Sequence, residues 1–121
     1  MRVTKNTHGE ALKLAYDLLD RHAKSIPIEA WATHSNPTRL YCRVGDVSAE
    51  LTIEFNENRE RPYRAADRKD PQLFPKVSIN CYERHLSPSQ ALKLSPMLSM
   101  LGGAGQMLLS HFDSEPTKGK P

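Results

Sequence analysis

Aromatic residues are scarce: one Trp, three Phe and four Tyr in 121 residues, so a core has to be built mainly from aliphatic side chains. Cysteine is scarcer still. Cys42 and Cys81 stand in strand-like segments with no CxxC and no Cys/His cluster. A redox or metal centre therefore has no support, and both are expected to be reduced, small, buried hydrophobes. No apolar run approaches the roughly 18 residues of a membrane span. The opening MRVTKNTHGE lacks the apolar stretch of a secretory signal, which makes the cytoplasm the expected location.

Catalytic templates are missing too. There is no G-x-S-x-G elbow, no H-E-x-x-H and no G-x-x-x-x-G-K-[ST] loop. Leu101-Gly102-Gly103-Ala104-Gly105 is glycine-rich, but no strand precedes it and Gln106 stands where a phosphate loop needs Lys. Close packing or a helix break is the expected reason for it. The expectation is a non-enzymatic protein with no cofactor and no metal.

Charge is present and evenly mixed. The net of +3 comes wholly from the second half: residues 1–54 carry seven Lys/Arg and seven Asp/Glu, residues 55–121 ten against seven. The stretch NENRERPYRAADRKDPQ, residues 56–72, holds nine charges in seventeen residues. Arg59, Arg61, Arg64, Arg68 and Lys69 surround Tyr63 there, a set able to stack on bases or clamp phosphates. Glu57, Glu60, Asp67 and Asp70 are interleaved and screen them. Connections this long are usually functional or unstructured, so three readings stay open: a solvated hairpin extension, a protein-binding loop, and a nucleic-acid loop. Interleaved signs suit a protein surface better than a uniformly anionic polymer.

The periodicity predicts an α-β-β-β-β-α order, an α+β fold in which a four-stranded antiparallel meander carries two helices on one face. Thr7-His8-Gly9-Glu10 has capping-box spacing. From about 8 to 25, Ala11, Leu12, Leu14, Ala15, Tyr16, Leu18, Leu19, Ala23 and Ile26 share one helical side and Lys13, Asp17, Asp20, Arg21 and Lys24 the other. Segment 28–34 reads as a strand. In RLYCRV-GD-VSAELTIEF apolar and polar residues alternate about Gly45-Asp46, a type II′ hairpin signal. That turn sets Leu40 against Leu51, Cys42 against Ala49 and Val44 against Val47, with Arg39 and Arg43 diagonal to Glu50 on the outer face. A fourth strand fits 73–83, with Val77, Ile79 and Cys81 inward. Ser87-Pro88-Ser89-Gln90 announces a helix, Ser95-Pro96 a break, and the last helix, 96–112, places Met97, Leu101, Ala104 and Leu108 on one stripe. Residues 1–112 are expected as one domain and 113–121 as a disordered tail.

Candidate binding residues follow from that register. Arg39, Tyr41 and Arg43 face outward together. Trp31 shares a face with Glu29 and Thr33 if its strand alternates from Ile28, and could then anchor a partner; a shifted start would put it in the core. His22 falls near the middle of the first helix's apolar side, as a neutral core histidine or, less simply, a general base. Ser99 and Gly103, four apart, offer a seam within the chain or for a homodimer. The α-β-β-β-α portion resembles the element order of double-stranded-RNA-binding domains. That family carries a lysine cluster at the start of its last helix, where SPSQALKLSP has only Lys93, so no family is assigned. The reading is a small binding protein using a macromolecular, protein, interface: Arg39, Tyr41, Arg43, Trp31 and the 56–72 loop. Its size suggests, by analogy, a phage- or plasmid-type regulator or inhibitor of a nucleic-acid-handling machine. The alternative is direct nucleic-acid binding through the loop arginines, Lys118 and Lys120.

Overall fold

The computed structural model describes residues 2–57 and 71–112. In chain order they form β1 (Val3–Thr4), α1 (His8–Ser25), β2 (Glu29–Thr33), β3 (Thr38–Val44), β4 (Val47–Asn56), β5 (Gln72–Cys81) and α2 (Pro88–Phe112). The strands make one antiparallel sheet in the order β1-β5-β4-β3-β2. Four of them are the predicted meander. The fifth, β1, is too short to carry a period-two signal and joins β5 through Val3↔Leu73 and Thr4↔Gln72. The expectations for the 113–121 tail, and those for Arg59, Arg61, Tyr63, Arg64, Arg68 and Lys69, lie outside the described residues.

Alternation builds the central hairpin as its pattern requires. Leu40 faces Leu51, Cys42 faces Ala49 and Val44 faces Val47. Gly45 takes φ 60° while no described non-glycine residue is positive, so Asp46 is not left-handed and the turn is type II′. Leu40, Cys42, Val47, Ala49, Leu51 and Ile53 are fully buried. They meet Ala11, Ala15, Leu19 and Ala23 of α1 and Leu94, Met97, Leu101, Ala104 and Leu108 of α2 in one core. Both helices thus cover the same sheet face. α1 carries the chain across it from the β1 edge to the β2 edge. No described helix is long and apolar enough to cross a membrane.

α2 starts on a reciprocal capping box. Ser87 Oγ accepts from the Gln90 N–H at 3.1 Å and Gln90 Oε1 accepts from the Ser87 N–H at 2.9 Å. Gln90 and Lys93 also hold Asp46 (3.1 and 3.4 Å), tying the hairpin turn to the helix start. Those bonds, led by the Gln90 amide, hold the Asp46 carboxyl below its ordinary pKa.

Five local expectations are corrected. Thr7 is the N-cap residue of α1 but its side chain makes no cap bond; its Oγ1 accepts instead from the Thr4 N–H of β1 at 2.9 Å. The break at Ser95-Pro96 does not occur, and α2 runs through Pro96. Pro96 sits on the exposed side while Leu94 and Met97 are buried on the other. The lost N–H bond therefore falls where water can reach the freed carbonyl, and packing holds both sides of it. Ser99 and Gly103 are exposed, so they form no seam within the chain. The close approach is at Gly105, where a Cβ would lie 3.1 Å from Val77 Cγ1 and 3.4 Å from Leu51 Cδ1. Cys42 is buried but Cys81 is an exposed free thiol. Ile79 on the same face is 37% exposed, because the α2 layer does not reach that end of β5. Lastly, β5 spans 72–81 rather than 73–83, and Tyr82 begins the turn away.

Candidate functional site

The helices leave the other sheet face open. Across its middle run Trp31, Tyr41, Glu50 and Asn80, directly opposed on β2, β3, β4 and β5. β2 alternates from Ile28 after all, so Trp31 lies on this face, 43% exposed, and the core alternative is excluded. Its indole stacks on Tyr41 with centroids 5.6 Å apart and planes 18° from parallel. Non-hydrogen-bonded and hydrogen-bonded cross-strand pairs both bring rings within such reach, and stacking adds to their burial.

Arg39 and Arg43 flank Tyr41 but do different things. Arg39 Nη1 donates to the Tyr41 hydroxyl at 3.2 Å. That bond, with the phenol's charge interaction, raises the guanidinium pKa further, aided by Glu50. Arg43 does not turn to Glu50, as the hairpin diagonal predicts. It grips its β2 neighbour Glu29, with Nε to Oε2 at 3.1 Å and Nη2 to Oε1 and Oε2 at 3.0 and 2.9 Å. Glu29↔Arg43 is a direct cross-strand pair, closer than the diagonal, and the forked geometry suits a carboxylate.

Glu50 is the residue that sequence reasoning underrated. It occupies an outward register position yet is only 9% exposed. Tyr82, from the turn after β5, packs over it. Desolvation of the Tyr82 hydroxyl, then its hydrogen bond to the Glu50 carboxylate and that group's charge, pushes the phenol up to about 12. Tyr82 is otherwise 55% exposed. Glu50 Oε2 and Arg39 Nε are buried without a hydrogen-bond partner among the described residues. The expected strand 73–83 already gave Tyr82 outward parity; in the structure the β4–β5 register carries one rung beyond β5 to reach it, and the Ser48 carbonyl accepts the Tyr82 N–H at 3.4 Å.

The charges of this face cancel. Its strand positions carry Arg39, Arg43 and Lys76 against Glu29, Glu50 and Glu54. The arrangement is an aromatic centre with balanced charges around it, of which Arg43 and Glu29 form a salt bridge at 2.9 Å.

The long loop departs elsewhere. Its flanks, Asn56 and Gln72, sit at the sheet end opposite Gly45-Asp46. Asn56 lies six steps along β4 from Glu50, about 20 Å at roughly 3.3 Å per step. The structure therefore does not bring the loop's attachment points to the aromatic row. A depression near them is lined by Lys5, His8, Glu54, Phe55, Asn56, Glu57 and Leu73. Lys5 pairs with Glu57 at 3.4 Å, and His8 meets Phe55 edge-on at 6.0 Å.

His22 falls within the α1 stripe, between the directions of Ala11 and Ala15, but in the last turn of the helix it is only half-buried. No cluster of three or more His, Cys, Asp or Glu side chains among the described residues could hold a metal ion. Compared with protein-family models, curated proteins and solved structures, the chain matches none.

Proposed function

We propose that this chain is a small non-enzymatic binding protein that docks a protein partner on the open sheet face. The Trp31–Tyr41 stack is the anchor, Tyr82 extends it, and Arg39 and Arg43 form the polar surround. One observation carries the reading: a stacked, solvent-facing aromatic pair sits at the centre of a face whose charges cancel. Aromatic and Arg anchors ringed by polar groups are the usual anatomy of protein hot spots. A phosphate backbone, by contrast, is held by several cations acting together, and here Arg43 is already neutralised by Glu29. Such a surface fits a regulator or inhibitor that acts by occupying a larger assembly.

The test is capture from native host lysate with the wild-type chain and with Trp31→Ala/Tyr41→Ala, each with and without nuclease. A partner that survives nuclease and is retained at least about 30-fold less by the double variant, the equivalent of a 2 kcal/mol hot spot, supports the reading. Retention that disappears with nuclease and weakens steeply with salt would instead favour nucleic-acid binding. Arg59, Arg61, Arg64 and Arg68 changed together to Ala should then abolish it.

A further inference from the structure

We propose that the free edge of β5 pairs with the same edge of a second copy, in a single register centred on Ile79. β1 occupies only Gln72 and Leu73 of that edge. Which backbone groups face outward beyond them follows from the ladder. Tyr82 N–H bonds to the Ser48 carbonyl, and hydrogen-bonded pairs alternate along an antiparallel ladder. Even-numbered residues of β5 therefore bond to β4, and odd-numbered ones turn N–H and C=O to the edge. Pro75, which has no N–H, falls among the odd positions, as an edge proline must. Val77, Ile79 and Cys81 then present backbone groups that pair with none of the described residues, with side chains on the helix-covered side.

Symmetry and the place of Pro75 narrow the pairing to one solution. Dyads on odd and on even residues both pair odd positions with odd ones; one on Ser78 would set Pro75, which has no N–H to give, against Cys81, and one on Asn80 would leave only two complete pairs. Centring on Val77 would set Pro75 against Ile79 and drive Cys81 into Leu73, which β1 already holds. Centring on Cys81 would need residues 83 and 85, beyond the strand. Centring on Ile79 opposes Val77 to Cys81 on both sides of the dyad and gives about six inter-chain hydrogen bonds. On the open face it sets Ser78 against Asn80 and Lys76 against Tyr82, so no like charges meet.

The helix layer fits the same dyad. Gly105 lies against Val77 of β5 and Leu51 of β4, so α2 reaches β5 at Val77, two residues from the dyad. The flank turned toward the dyad follows the Gly105 stripe: Leu98, Gly102 and Leu109, all half-buried. A Cβ on Gly102 would meet nothing within 4 Å in its own chain. An approaching helix gives that glycine a use that the single chain does not. Such a dyad is normal to the sheet, so both Trp31–Tyr41 surfaces would lie on one side, suited to bivalent capture.

The test uses the full chain. Light scattering after size exclusion should give twice 13.7 kDa, and Ile79→Pro should give the single-chain mass with an unchanged circular dichroism spectrum, because the lost N–H bonds to no β4 group. In a Cys81→Ser background, Ile79→Cys should form a disulfide-linked dimer on mild oxidation, since directly opposed Cα atoms stand about 5.5 Å apart. Leu92→Cys, at a site 78% exposed on α2, should not. A wild-type chain of single mass at every concentration, a dimer that persists in Ile79→Pro, or Leu92→Cys cross-linking as readily as Ile79→Cys would each overturn the proposal. Should Ile79→Pro not fold, the cross-linking pair decides. These readouts do not involve Trp31 or Tyr41, so the edge and the open face can fail separately.

Discussion

Gly103 and Gly105 stand two residues apart in α2 and should answer the same substitution oppositely. Alanine in a helix interior is favoured over glycine by about 1 kcal/mol. At Gly103 nothing lies within 4 Å of the new Cβ, so Gly103→Ala should stabilise by about that amount, roughly 4 °C in Tm for a chain of this size. At Gly105 the same gain meets Val77 Cγ1 at 3.1 Å and Leu51 Cδ1 at 3.4 Å. Leu51 is fully buried and cannot retreat, so Val77 on the edge strand must give. Overpacking of this kind costs about 1–3 kcal/mol. Gly105→Ala should therefore end neutral to about 2 kcal/mol less stable than wild type. The two variants should thus differ by about 1–3 kcal/mol. Urea unfolding at one fixed protein concentration, with a common m-value, measures the difference. Equal stabilisation of both would show that α2 does not approach the sheet at Gly105, and the helix placement would be wrong.

Ser87→Ala removes one arm of the α2 capping box and should cost about 1 kcal/mol by the same urea assay; no loss would mean that the Gln90 arm suffices. The two thiols should separate by environment. Cys81 should label at once at pH 8 and Cys42 only on unfolding, because burial pushes the Cys42 thiol up to about 11. The same shift makes an alkaline prediction. Between pH 9 and 11 the unfolded chain releases a proton that the folded chain keeps, so stability should fall across that window, and Cys42→Ala should flatten the slope. A slope unchanged in Cys42→Ala would assign the loss to another group.

The hairpin was legible because one alternation and one turn dipeptide specify it together: a one-residue slip would expose Leu40, Cys42 and Leu51 at once. α1 and the start of α2 were legible for similar reasons, since helical period and cap chemistry agree. What escaped depends on neighbours distant in the chain. The Thr7 side chain lost its capping role to β1, a two-residue strand whose existence depends on β5. Pro96 was tolerated because burial of Leu94 and Met97 outweighs one missing hydrogen bond. Cys81 and Ile79 have the inward parity of a core strand, but parity says which side a residue faces, not how far the helix layer extends over it.

The open face shows the same limit from the other side. Alternation puts Tyr41, Arg43 and Glu50 outward and leads one to join the guanidinium to the nearest carboxylate on the hairpin. The β2 register then intervenes, giving Arg43 a directly opposed partner in Glu29 and leaving Glu50 to be covered by Tyr82. Two oppositely charged groups that looked free are consequently an occupied pair and a buried carboxylate. A surface arranged this way has lost most of its reach for a distant charged polymer. It keeps the stacked rings of Trp31 and Tyr41 as its one large, rigid, desolvatable feature. Rings of that kind lose little side-chain entropy on contact, which is why the proposed protein-docking role rests on them and not on the count of arginines.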